Sequence, residues 1–352
     1  MLPLIPVVLI ALIVTADDLL PSGVRLGPLL AVAPAIAALF GGPRTTAAVG
    51  FLALVALVVA GRLGGGPAAL NRDVEIAALV TVTGFVVAYC LLRERYLREL
   101  AQVRSASEAA QRVVMRPMPP RVGPLRVASL YLSAAAAARV GGDLYAAIRT
   151  EGATRLLIGD VRGKGLAAIS DAAVLIYAFR EAAHRQATLP RLVERLEASL
   201  ARDAAERAQT EPHAVEFFIT AALVEVPDDE PVIRLVSCGH PPPLLLREGR
   251  PRTLRAARPA PPLGMGEVSA SEQMVETFPF EPGDQLVLYT DGVIEARDRS
   301  GAFYPLAERL PASPGGDARA LADYLRDDLL AYAGGRLPDD AAILVIERAK
   351  KA

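Results

Sequence analysis

The chain has 352 residues, with 38 basic and 39 acidic side chains, three histidines and a formal net charge of −1. That balance excludes a general nucleic-acid binder, which needs a basic excess. Two cysteines, Cys90 and Cys238, exclude a disulfide framework, and no Cys/His grouping has zinc spacing. Only eight of the charges (Asp17, Asp18, Arg25, Arg44, Arg62, Arg72, Asp73 and Glu75) fall among the first 92 residues. The chain therefore reads as an apolar N-terminal third followed by a water-compatible remainder.

Met1–Ala16, Leu26–Pro43, Thr45–Gly61 and Ile76–Leu92 are free of charge, each near the lower limit for crossing a hydrocarbon layer of roughly 30 Å. One such stretch could be a buried helix of a soluble protein. Four in succession predict four short transmembrane helices, the second and third joined by a tight turn at Gly41–Arg44. No Lys or Arg precedes Arg25, so the first is expected to be a retained span rather than a signal peptide. The run Arg93, Glu94, Arg95, Arg98 follows the fourth and, by the positive-inside rule, places the rest of the chain in the cytoplasm. The short loops are divided, with Arg44 inside and Arg25, Arg62 and Arg72 outside. The expected organisation is a membrane domain over 1–92, a helical linker over 93–120 and a soluble domain over 121–348.

Arg93–Arg116 has no glycine or proline, and Tyr96, Leu100, Val103, Ser107, Ala110 and Val114 follow heptad spacing. Two readings stand side by side: an amphipathic helix packed on its own domain, or a parallel helix pair that joins two copies of the chain. Pro117-Met118-Pro119-Pro120 must end the helix.

Beyond it, Leu125–Leu132, Tyr145–Ile148, Thr154–Ile158, Val215–Val226, Ile233–Cys238, Gln285–Tyr289 and Ala341–Glu347 read as strands. Ala167–Arg185, Leu189–Ala208 and Ala318–Tyr332 read as helices. Strands that flank long helices without alternating with them predict an α+β domain with antiparallel pairing. If the first hairpin turns on Glu151-Gly152, its register sets Asp143 opposite Asp160, with Cβ atoms roughly 4.5–5.5 Å apart. Like charges so placed are destabilising unless a cation lies between them. Asp291 ends another apolar strand, and Asp339-Asp340 precedes a third; if those strands are antiparallel neighbours, the carboxylates meet. Each acidic residue alone fits a strand start, a turn or a solvated loop. Together, without histidine or cysteine, they suit hard cations such as Mg²⁺ or Mn²⁺.

Gly141-Gly142-Asp143-Leu144-Tyr145, Gly159-Asp160-Val161-Arg162-Gly163-Lys164-Gly165, Cys238-Gly239-His240-Pro241-Pro242-Pro243, Tyr289-Thr290-Asp291-Gly292 and Asp339-Asp340 occur in one order. In these motifs the chain resembles the SpoIIE-type branch of the metal-dependent protein phosphatase 2C-like serine/threonine phosphatases, over about Gln111 to Glu347. The resemblance implies an αββα sandwich with two divalent cations, Mn or Mg, at one edge of its sheets. It implies Asp143 and Asp160 as shared ligands and catalytic carboxylates, with the Val161 carbonyl beside them. Asp291 would complete one metal, and Asp339, with Asp340 next to it, the other. The implied activity is hydrolysis of phosphoserine or phosphothreonine on a cytoplasmic regulator, such as an anti-sigma factor antagonist. Partners would then be that phosphoprotein, membrane lipid and, through the linker, a second copy, with no nucleic acid.

Two positions depart from the resemblance: Ala146 stands where Asp is common, and Ala342 where Thr is common. They motivate an alternative, a pseudophosphatase that binds its partner without turnover. A nucleotidyl cyclase is a poorer fit, because Leu144-Tyr145 follows Gly-Gly-Asp where that signature has an acidic residue and an aromatic. Lys164, one of three lysines, lies between two glycines at a helix start; it is either a phosphate-holding group or a solvated turn residue. His240 is expected to be a structural turn residue, and Gly264-Met265-Gly266 a loop.

Overall fold

A computed structural model of the chain describes residues 4–19, 26–63, 69–134, 141–210, 218–265 and 274–349. Residues 215–217 of one expected strand and Gly266 lie outside these, as do the side chains of Val103 and Ser107 in the linker seam. The chain divides into two compact units, Met1–Gln102 and Val103–Ala352.

The first unit is helical. Helix α1 (Ile5–Leu19) is followed by a 3₁₀ turn (Gly27–Ala31) that leads into α2 (Val32–Phe40), then α3 (Pro43–Leu63) and α4 (Ala69–Val114), within which the division of the two units falls. Pro28 occupies the first turn of the 3₁₀ segment, where a missing N–H costs nothing. The interior combines bulky Ile10, Leu30 and Leu57 with small Ala33, Ala37 and Ala53. Small residues let backbones approach: a Cβ on Gly50 would lie 2.2 Å from the Thr83 side chain. Phe51, Phe85, Tyr89 and Leu92 are exposed. Two helical segments, Pro43–Ala60 and Asp73–Gln102, are long and apolar enough to cross a membrane by length and composition. They contain the third expected span except Gly61, and the whole of the fourth. The first and second expected spans form shorter apolar helices, Ile5–Asp17 and Gly27–Phe40.

The second unit contains strands β1 (Arg121–Val122), β2 (Leu125–Leu132), β3 (Leu144–Thr150) and β4 (Ala153–Val161), followed by helices α5 (Leu166–Arg185) and α6 (Leu189–Thr210). Strands β5 (Ile219–Pro227), β6 (Val232–Cys238), β7 (Leu244–Arg247), β8 (Arg250–Thr253), β9 (Glu276–Pro279) and β10 (Gln285–Tyr289) come next. Short helices α7 (Asp291–Ile294) and α8 (Leu306–Arg309), then α9 (Ala318–Tyr332) and β11 (Ala341–Arg348), complete it. The strands form two antiparallel sheets, ordered β1-β2-β11-β10-β7-β8 and β3-β4-β5-β6-β9.

Strand alternation sorts the core into three layers. Leu156, Ile158, Val224, Leu288 and Leu344 fill the space between the sheets. Leu157 and Leu223 point the other way, onto Leu175, Phe179, Leu192 and Leu196 of α5 and α6. Val287, Ile343 and Val345 meet Leu321 and Leu325 of α9 on the opposite outer face. This is the expected αββα sandwich. Strands β2 and β10 and helix α9 have the bounds the sequence predicts.

Candidate metal centre

Two hairpin-like pairings bring the carboxylates together. In the β3–β4 hairpin Leu144 pairs with Gly159 and Thr150 with Ala153, the predicted register. The Val161 N–H continues the ladder by donating to the Gly142 carbonyl at 3.2 Å, so Asp143 and Asp160 face each other at the open end. Strands β10 and β11 are antiparallel neighbours, with Tyr289 opposite Ile343. Thr290 N–H donates to the Ala342 carbonyl at 3.1 Å, which sets Asp291 beside the Asp339-Asp340 pair.

Two glycines make these approaches possible. A Cβ on Gly142 would stand 2.4 Å from the Val161 carbonyl oxygen, and one on Gly292 1.9 Å from the Asp340 carbonyl oxygen. Neither distance is compatible with a side chain, so the Gly-Gly-Asp and Asp-Gly motifs are requirements of packing as much as of chemistry.

Carboxylate oxygens of Asp143, Asp160 and Asp291 lie within 4.8 Å of one another. Asp143 is buried, Asp160 is half-buried and Asp291 is open to solvent. Burial, then the adjacent Asp160 charge, raises the Asp143 carboxyl well above the ordinary range, against the Thr290 hydrogen bond that lowers it. Burial, then Asp291, pushes Asp160 up to about 7. Asp291 is raised as well, first because its carboxyl is partly desolvated against the cleft although the residue as a whole is exposed. Three crowded carboxyls disfavoured as anions are what a divalent cation relieves, and an all-oxygen donor set selects Mg²⁺ or Mn²⁺ over softer metals. These residues fit such an ion.

The other expected site residues line the same cleft, of about 200 Å³, together with Gly141, Gly142 and Arg162. Val161 is buried beside the trio. Asp339 takes both its oxygens to the Lys164 ammonium at 2.8 Å, each partner about two-fifths exposed. Lys164 thus stands inside the acidic cleft. Asp340 is buried, and its carboxylate accepts from Tyr131 Oη (2.5 Å), Gly141 N–H (2.5 Å) and Ala134 N–H (2.6 Å).

Ala146 is part of the apolar layer under α5, and Ala342 lies between the sheets. Neither side chain lines the cleft. His240 is buried behind Asp160: its Nδ1 is 3.1 Å from Thr220 Oγ1, and Thr220 pairs with Asp160 across β4 and β5. Burial pushes its pKa down to about 4, so it is neutral at physiological pH. Gly264 N–H donates to Glu197 Oε2, and Met265 is exposed.

Thr290 and Tyr131 were not legible as site residues. Thr290 Oγ1 donates to Asp143 Oδ2 at 2.7 Å and accepts from the Ala342 N–H at 2.9 Å. Its place directly before Asp291 was a usable signal. Tyr131 is the penultimate residue of β2, and nothing in its neighbourhood in sequence marks it. Burial, then the Asp340 charge, raises its pKa, so the hydroxyl keeps its proton and donates.

Residues 150–349 match the family described as Stage II sporulation protein E (SpoIIE). Among curated proteins, Protein IcfG of Synechocystis sp. is 28% identical over 118 residues, 32% of this chain and 18% of IcfG. Among solved structures, the RsbU and RsbW domains of Rv1364c from Mycobacterium tuberculosis superpose with a TM-score of 0.50 and 25% identity. That match covers 65% of this chain and 62% of Rv1364c's. The SiaA-PP2C domain of Pseudomonas aeruginosa superposes with a TM-score of 0.55 at 17% identity, over 73% of this chain and 98% of the domain. The chain therefore spans less than a fifth of IcfG and under two thirds of the Rv1364c chain.

Proposed function

The chain belongs to the SpoIIE family, and from that membership we propose that it is a metal-dependent serine/threonine protein phosphatase held at a membrane by its N-terminal unit. The observation that carries this reading is the convergence of Asp143, Asp160 and Asp291 oxygens within 4.8 Å at the edge of an αββα sandwich.

Asp143 and Asp160, with the Val161 carbonyl beside them, would hold the cations together with Asp291 and Asp339. Two divalent cations bound there supply Lewis acidity, neutralising charge on the phosphoryl oxygens and making a water more acidic. The protein's own part is positioning. Thr290 orients Asp143, and the glycine contacts fix the distance between the two ligand-bearing loops. Lys164, which lines the cleft and holds Asp339, would be available to a substrate phosphate if a cation took up Asp339. Among the described residues the cleft is lined by no serine, threonine, cysteine or histidine, and direct attack by water is the mechanism this reading takes.

The substrate is a phosphorylated regulatory protein, and an anti-sigma factor antagonist fits the family. In support, the similar Rv1364c structure comprises RsbU and RsbW domains in one protein. The apolar unit, with its two long apolar helices, anchors the chain across the cell membrane. The Arg93–Arg98 run supports placing the catalytic unit in the cytoplasm.

The test is hydrolysis of a phosphoserine protein and of p-nitrophenyl phosphate by the full chain in detergent, with and without Mn²⁺. Turnover that needs the metal and is lost in Asp160→Asn is expected; equal turnover by that variant would sink the assignment.

A further inference from the structure

Asp339 and Asp340 are adjacent and both reach the cleft, yet their surroundings differ in kind. Asp339 is half-exposed, and its carboxylate accepts from the half-exposed Lys164 ammonium and from the Asp340 N–H at 2.8 Å. Asp340 is buried, and three donors already occupy its two oxygens. A carboxylate has about four acceptor positions; three are taken here, both of those on Oδ2, so a cation approaching Oδ2 would compete with the Tyr131 hydroxyl and the Gly141 N–H held at 2.5 Å. Breaking those bonds would strand buried donors, at about 1–3 kcal/mol each.

The donors also say what Asp340 does. Gly141 N–H belongs to the loop that carries Asp143 two residues on. A Cβ on Gly141 would meet Asp340 Oδ2 at 2.7 Å, so the loop can lie against this carboxylate only with glycine there. On its backbone side, Asp340 packs its carbonyl against Gly292, the residue after Asp291. One residue therefore touches both loops that present metal ligands. Tyr131, opposite Ala342 in the β2–β11 pairing, fixes the carboxylate from behind.

We propose that Asp340 and Tyr131 are positioning residues rather than metal ligands: together they form a strut that sets the separation of Asp143 from Asp291, and so the affinity of the metal centre. This rests on the phosphatase reading of the cleft. Ligand loss and strut loss differ in their signatures. Removing a ligand abolishes one binding position. Removing a strut leaves every position in place but no longer preorganised, which weakens binding without changing its stoichiometry.

The experiment is calorimetric titration of Mn²⁺ into the metal-stripped full chain in detergent, for the native sequence, Tyr131→Phe and Asp340→Asn. Tyr131→Phe removes one oxygen and keeps the ring, so folding is preserved. Asp340→Asn replaces an acceptor with an amide that faces donors. Both variants are expected to bind as many Mn²⁺ ions as the native chain, about 10–100-fold more weakly, as outer partners of metal ligands typically do. Turnover lost in Tyr131→Phe is expected to return as Mn²⁺ is raised. Loss of one ion in Asp340→Asn would make it a ligand and overturn the proposal. Unchanged Mn²⁺ affinity in Tyr131→Phe would overturn it equally, whatever becomes of Asp340→Asn. A native chain that takes up no Mn²⁺ would instead refute the underlying metal centre, and this inference with it.

Discussion

Thr290 Oγ1 donates a 2.7 Å hydrogen bond to Asp143 Oδ2 while accepting one from the Ala342 N–H at 2.9 Å. One hydroxyl thus joins the Gly-Gly-Asp loop of one sheet to β10 and β11 of the other. Ala342, where the resemblance leads one to expect Thr, brings no hydroxyl of its own to this junction. The neighbouring strand supplies the hydroxyl, and position 342 contributes only its backbone and an apolar methyl between the sheets.

Thr290→Val keeps the shape and deletes the hydroxyl, leaving a buried carboxylate oxygen and a buried N–H without partners. Chemical denaturation of the metal-free chain should show a loss of about 1–3 kcal/mol. The effect falls on the sandwich unit, so loss of its near-ultraviolet signal at lower denaturant is the measurement. An unchanged midpoint would remove Thr290 from the inter-sheet link.

Asp160→Asn should be far more damaging to turnover than to folding. It neutralises a shared ligand and relieves the repulsion that raises Asp143 and Asp160, so the metal-free variant should be at least as stable as the native chain. Turnover should fall by more than the roughly 10–100-fold typical of outer-shell changes. Steady-state hydrolysis at saturating Mn²⁺, set beside a thermal melt in chelator, reads both effects.

Stability of the metal-free chain should fall as pH rises. Asp160 titrates at about 7 when folded, against an ordinary carboxyl near 3.8. The folded state therefore holds more protons than the unfolded one across that window. The stabilisation from the protonated carboxyl is complete below the unfolded value and is lost as pH climbs through about 7. Asp143, raised in the same direction, adds to the slope. With Mn²⁺ present the dependence should reverse, because the cation binds the ionised forms. Denaturation midpoints at pH 5, 6, 7 and 8, with chelator and with Mn²⁺, check both signs; a chelator series that is flat or rises with pH would contradict the assignment.

What the sequence disclosed follows from which contacts are local. The β3–β4 register came from counting outward from Glu151-Gly152, because a hairpin's pairing is set by its turn. The Asp291 to Asp339-Asp340 encounter needed β10 and β11 to be neighbours, a non-local fact that only the motif order suggested. Division of labour within the Asp339-Asp340 pair was hidden. It depends on Tyr131, Ala134 and Gly141, roughly 200 residues earlier in the chain and joined to Asp340 only by folding. In the first unit, absence of charge marked all four apolar stretches as helices, whereas helix length was set by Pro28, Gly41 and neighbouring loops. Two segments reach spanning length there.

Lys164 yields the last prediction. Its ammonium holds both oxygens of Asp339 at 2.8 Å, and its charge also favours the ionised forms of Asp160 and Asp291. A cation taking up Asp339 must displace it. Both partners are about two-fifths exposed, so the pair is worth about 0–1 kcal/mol, and the competition amounts to no more than about fivefold in affinity. Lys164→Gln should therefore tighten the weaker Mn²⁺ binding step by a few-fold, with a smaller gain at the tighter one from the lost repulsion. If Lys164 also holds the substrate phosphate once freed, the same variant should raise KM for a phosphoprotein more than it lowers kcat. Calorimetry and steady-state kinetics on one preparation separate the two roles. Weaker Mn²⁺ binding in Lys164→Gln would show that the lysine supports the site instead of competing for it.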